Sequence, residues 1–140
     1  MPLVTQDGVL KLIVYVGIRR NGRLLLVQYQ QAPNPDKQGW WIPAPEVPYG
    51  EDPEEQAARA AAEFGFEGAK PRLMNVESFT MGGGNWHVMV HYVVDVDSDP
   101  KNTGMLREWA WFAADALPAP AAFAHGRWEV GLATDMLAFA

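Results

Sequence analysis

Apolar residues fall on both faces of one strand-like run, alternate with polar ones in another, and recur with helical spacing near the end of the chain. From Lys11 to Arg20, Leu12, Val14, Val16 and Ile18 share one face, while Ile13 and Tyr15 make the other face apolar as well. That is the pattern of a central strand covered on both sides. Arg23 to Gln28 is a second β-rich run, and the Asn21-Gly22 between them is a strong hairpin signal. Residues 30 to 38 are polar and broken by proline, hence a surface loop. Arg72 to Thr80 can form a strand, and Met81-Gly-Gly-Gly-Asn85 a flexible connection. From Trp86 to Val96 the alternation sets Trp86, Val88, Val90, Tyr92, Val94 and Val96 against His87, Met89, His91, Val93 and Asp95. A turn-rich acidic segment, 97 to 104, leads to a short aromatic strand around Trp109 to Phe112. After a Pro/Ala-rich stretch, Arg127 to Phe139 reads as a closing helix with Trp128, Leu132 and Met136 on one stripe.

The other helix is specified at both ends. Asp52 is a good N-cap, Pro53 suits the first helical position, Glu55 stands three residues after the cap, and Gly65 supplies the stop. Glu55, Arg59 and Glu63 follow at i, i+4 and i+8, stacking carboxylate, guanidinium and carboxylate. Strands on either side of a helix, with a second helix at the end, predict an α/β fold in which a mixed sheet lies between helical layers.

A length of 140 residues with 49% hydrophobic residues predicts one domain, residues 1–140, with a real core. With no cysteine, disulfides and thiolate metal sites are excluded, which fits a reducing compartment. The apolar run Leu12 to Ile18 lacks the flanks of a signal peptide, and no stretch approaches bilayer-spanning length. The expectation is a soluble cytoplasmic protein with no membrane partner. A net charge of -6 argues against nonspecific nucleic-acid binding, although a divalent cation would still admit a nucleotide.

The loop and helix from Gly39 to Phe66 resemble the Nudix box of the nucleoside-diphosphate-X hydrolases. Glu51, Arg59, Glu63, Gly65 and Phe66 match that signature, and Trp40 and Pro43 fit the approach to it. Pro45 stands where the first glycine belongs, Ala60 and Phe64 replace glutamates, and one residue is missing before Gly65, so Glu63 aligns with either of the paired glutamates. If that glycine needs positive φ, proline cannot supply it, and the loop must be rebuilt. The resemblance implies a Nudix-like α/β/α sandwich and hydrolysis of the pyrophosphate bond of a nucleoside diphosphate linked to another moiety. It also implies Mg²⁺ or Mn²⁺ as cofactor, held by Glu63 with Glu51 or with an acidic group from another loop, with Glu51, Arg59 and Glu63 as the catalytic set and Arg59 orienting a glutamate. Homodimerisation is a family habit.

Hard cations need oxygen ligands, and a metal both activates water and spreads phosphate charge. At the i, i+3 and i+4 offsets where family carboxylates crowd, this helix offers Ala60, Glu63 and Phe64, enough for weak or single-ion binding. Glu63 reads equally as a metal ligand and as the partner of an ordinary helix salt bridge to Arg59. Trp41 and Trp86 are candidates for base stacking and His87 for the lining of a ligand cavity. His87 and His91, four residues apart on a strand, lie about 13 Å from each other and cannot share an ion. Asp95-Val-Asp-Ser-Asp99 begins like a calcium loop, but Pro100 and Leu106 occupy the positions that need glycine and glutamate. Gly82-Gly83-Gly84 does not precede a helix and is no phosphate cradle. Two functions from different classes follow: a Nudix-type pyrophosphohydrolase acting on a small nucleotide or diphosphate, and a Nudix-fold nucleotide-binding or regulatory module with impaired catalysis.

Overall fold

Strands β2 (Gly8–Arg20) and β3 (Arg23–Tyr29) turn on Asn21 and Gly22, whose φ values of 51° and 74° are those of a tight hairpin turn. The computed structural model describes residues 3–5, 8–81 and 84–140, so Gly82 and Gly83 of the glycine run lie outside the described residues. The hairpin stays closed only at its tip, where Arg19 pairs with Leu24 and Arg20 with Arg23. Beyond that, the segment from Trp41 to Val47 enters between the two strands. Trp41 exchanges both backbone hydrogen bonds with Val27, at 2.8 and 3.1 Å, and the Pro43 and Pro45 carbonyls accept the Val16 and Val14 amides at 2.9 and 3.0 Å. Proline offers a carbonyl but no N–H, so Pro43 and Pro45 accept from β2 without donating back, and the Val47 amide supplies the return bond, to the Leu12 carbonyl at 2.8 Å. The loop rebuilding expected from Pro45 takes this form.

The remaining strands are β1 (Leu3–Thr5), β4 (Arg72–Met81), β5 (Asn85–Asp95) and β6 (Leu106–Ala113), in the sheet order β4-β5-β2-β3-β6 with β1 on β2. β2 and β5 run parallel and the other strand pairs antiparallel, so the sheet is mixed as expected. β1 was not legible in the sequence.

Helix α1 (Pro53–Glu63) covers one face. Asp52 accepts the Glu55 amide at 3.1 Å as N-cap, and the helix ends with Gly65 at φ 92°. There the Gly65 and Phe66 amides return to the Ala62 and Ala61 carbonyls, the double bond of a Schellman stop. Ala57, Ala60, Ala61 and Phe64 pack with Val14, Val16, Ile18, Val90, Tyr92 and Val94. Helix α2 (Gly126–Ala138) covers the other face, with Leu132, Ala133 and Met136 against Tyr15, Leu24, Leu26, Ile42, Met89 and Val93. Both faces of β2 are therefore buried from Val14 to Ile18, in an α/β/α arrangement. Among the described residues no helix is long and apolar enough to cross a membrane.

Candidate functional site

The rebuilt loop and α1 enclose a cavity of about 300 Å³ lined by Tyr29, Pro33, Pro43, Ala44, Pro45, Glu46, Ala60, Glu63, Phe64 and Met105. The i, i+3 and i+4 positions singled out above, Ala60, Glu63 and Phe64, thus do face one space. Phe64 is 2% exposed and belongs to the core, which explains why a carboxylate is not tolerated there as α1 is now packed. Glu63 is exposed at the cavity's rim.

Tyr29, at the end of β3, lines the same cavity. Burial, and then the Glu63 carboxylate, push its phenol up to about 12, so it remains a hydrogen-bond donor at any physiological pH. Glu46 contributes to the lining as well, but it stands in register with Ile13, whose side chain packs on the α2 face. Its carboxylate opposes the lowering of the His87 pKa, which burial and Lys11 cause. Both observations place the Glu46 carboxylate on the α2 face, leaving Glu63 as the acid that serves the cavity.

The other expected site residues are dispersed. Glu51 lies in the exposed turn before α1, its amide bonded to the Pro48 carbonyl at 3.1 Å. The eleven residues of α1, from Pro53 to Glu63, span about 15 Å, with Glu51 before the first turn and Glu63 in the last. Arg59 is exposed and makes no ion pair among the described residues, so the stack of Glu55, Arg59 and Glu63 is not closed by salt bridges. Exposed i,i+4 pairs gain too little to immobilise such long side chains.

Trp41 is 5% exposed and locked in the core: its indole N–H reaches the Lys37 carbonyl at 3.1 Å, and Tyr29 and His125 pack edge-on to it at 6.1 and 4.7 Å. No face is left for a base. Trp86 is 45% exposed but outside the cavity lining, and His87 stacks on Phe79 with ring centroids 5.2 Å apart, also outside it. His91 is buried, and its Nε2 lies 3.6 Å from Glu77. The acidic run near Asp95 is engaged by arginine: Asp95 by Arg19 and Arg72, Asp99 by Arg20, each at 2.8 Å.

Tyr29 and Met105 carry no mark of a site in the sequence, whereas Pro43 stands out as part of the motif's approach and Pro45 as the residue at its first glycine position. Tyr29 immediately precedes the polar loop at 30–38, and strand ends beside a loop are the usual places for such residues. Nothing local marks Met105.

Among the described residues no group of three or more His, Asp or Glu side chains is arranged to hold a metal ion. One carboxylate at the rim fits a single hard cation that takes its remaining ligands from water and phosphate oxygens. It does not fit a cage built by the protein alone.

The NUDIX domain model matches residues 11–131. No curated protein sequence matches the chain. Among solved structures, the MutT NUDIX hydrolase from Burkholderia pseudomallei is 21% identical, with a TM-score of 0.66 over 91% of this chain and 97% of that one. The MutT protein from Methanosarcina mazei Go1 is 21% identical, with a TM-score of 0.64 over 86% and 91%. A C. elegans Ap4A hydrolase, solved as a binary complex, is 17% identical, with a TM-score of 0.66 over 92% and 96%. At these identities the structural likeness is one of fold. With the model match spanning all the elements from β2 into α2, the box-like helix of this chain has its explanation: the chain belongs to the NUDIX domain family.

Proposed function

We propose that the chain is a Nudix-type hydrolase that cleaves the pyrophosphate bond of a small diphosphate-linked molecule, using one divalent ion of the Mg²⁺ or Mn²⁺ kind. The supporting observation is that the α1 face carrying Glu63 opens into a cavity between the box helix and its approach loop. Glu63 would hold the ion, which when bound supplies a polarised water and spreads phosphate charge. The Tyr29 hydroxyl, kept protonated, is the hydrogen-bond donor available to a phosphate oxygen. Arg59, one turn before Glu63, is proposed to orient it or a phosphate once ligand is present. Glu51, at the far end of α1, is proposed to act on the helix start rather than on that ion. Pro33, Pro43, Phe64 and Met105 line the cavity with apolar surface that excludes water from the diphosphate's substituent.

A nucleotide-binding or regulatory module with impaired hydrolysis is the second reading, favoured by Ala60 and Phe64 standing where the family face carries carboxylates. Phosphate release from a panel of nucleoside diphosphate-linked compounds with Mn²⁺, run beside calorimetric binding, separates the two. Turnover that is lost in Glu63→Gln supports the hydrolase. Binding without turnover supports the module, and neither binding nor turnover defeats both.

A further inference from the structure

The carboxylate of Glu129, in the first turn of α2, is wholly buried, and nothing in the chemistry above uses it. Its Oε2 accepts the Ile42 amide at 2.9 Å across 87 residues of sequence. Its Oε1 accepts the His125 amide at 3.0 Å and lies 3.2 Å from His125 Nδ1, which donates in the tautomer that carries its proton there. Ile42 is also fully buried, so its amide has no water to turn to.

Ile42 sits at the root of the cavity wall. Between Trp41 and Val47, Pro43 and Pro45 remove two amide donors, leaving those of Ile42, Ala44 and Glu46. On one side Trp41 is tied to Val27, and on the other the wall hangs on β2 by the carbonyls of Pro43 and Pro45. The edge-on contact of His125 with Trp41, 4.7 Å between centroids, brings the same end of α2 against the same segment.

We propose that Glu129 is a positioning residue for the cavity: by holding Ile42 it fixes the Pro43–Pro45 wall relative to Glu63, so that α2 sets the width of a site built against α1. The ligand part of this proposal rests on the function proposed above, and the positional part does not.

Amide hydrogen exchange followed by NMR tests it. In the wild type the Ile42 amide should exchange only through global unfolding, and exchange through a local opening would overturn the proposal without any variant. Glu129→Gln keeps the shape but turns one acceptor into a donor that opposes an N–H group. Met136→Ala, on the same helix where it packs over Gly17, serves as the control for lost stability. After correction for global stability, Ile42, Val14 and Val16 should exchange at least about tenfold faster in Glu129→Gln than in Met136→Ala. Inorganic pyrophosphate with Mn²⁺ should bind at least about fivefold more weakly to Glu129→Gln and unchanged to Met136→Ala. Equal exchange in the two variants, or a loosened wall with undiminished binding, refutes the assignment. If the wild type binds no Mn²⁺-pyrophosphate, the ligand reading falls, and the exchange comparison alone decides the positional claim.

Discussion

Glu63 and Phe64 are neighbours with opposite fates, and the difference is burial: one stands at the rim of the cavity, the other is 2% exposed beneath it. If the rim acid holds the ion, Glu63→Gln should lower Mn²⁺ affinity and turnover by about 100-fold or more while leaving thermal stability within about 0.5 kcal/mol of wild type, as befits an exposed side chain. Asp95 carries a different expectation. Its carboxyl is held below the usual carboxylate range first by the hydrogen bond from Arg19 and then by Arg72, against the opposing effect of burial. A depressed folded-state pKa contributes stability that is present above the unfolded value, about 3.9, and is lost as pH falls through the folded value. The melting-temperature difference between wild type and Asp95→Asn should therefore be steady from neutral pH down to about 4 and shrink below it. Because the side chain is 54% exposed, that difference should be small and should weaken further in salt.

At the scale of the element, α1 is the part whose sequence most directly encodes its structure. Its cap, its proline and its glycine stop act within a few residues of chain, so they are legible locally and all appear as read. Asp52→Ala should cost about 1 kcal/mol in denaturant unfolding, the usual value of an N-cap. The same helix allows the family pattern to be restored one position at a time, with unequal results. Ala60 is 7% exposed but small and lines the cavity, so Ala60→Glu adds a carboxylate beside Glu63 at some cost in packing and should raise Mn²⁺ affinity measured by calorimetry. Phe64→Glu would bury an unpaired charge and empty part of the core, and should cost at least about 3 kcal/mol in stability before any metal is added. The length of α1 also carried information that the motif obscured. Glu51 precedes its first turn and Glu63 closes its last, so the two acids stand at opposite ends of the helix.

Across the whole molecule, the legible features were those with a local period: both faces of β2, the Asn21-Gly22 turn, the alternation of β5 and the Leu132-Met136 stripe of α2. What stayed hidden was non-local. The parallel pairing of β2 with β5 and the entry of residues 41 to 47 between β2 and β3 arise from contacts between distant segments. So does the cavity. Trp41 illustrates the consequence: its composition and place beside the box suggest stacking, yet the insertion that builds the site buries it. The C-terminal end is secured by contacts equally remote in sequence, with Arg19 donating to the Met136 and Phe139 carbonyls at 2.9 and 2.6 Å and Arg72 to that of Ala140 at 3.0 Å. The proposed hydrolysis requires that the space beside Glu63 receive a diphosphate. Titrating isotope-labelled protein with Mg²⁺ and inorganic pyrophosphate, and following backbone amides by NMR, tests this most directly. Shifts should concentrate at Tyr29, Ala44, Ala60 and Glu63 and disappear in Glu63→Gln. Shifts centred on Glu51 and the start of α1, or none at saturating ligand, would contradict it.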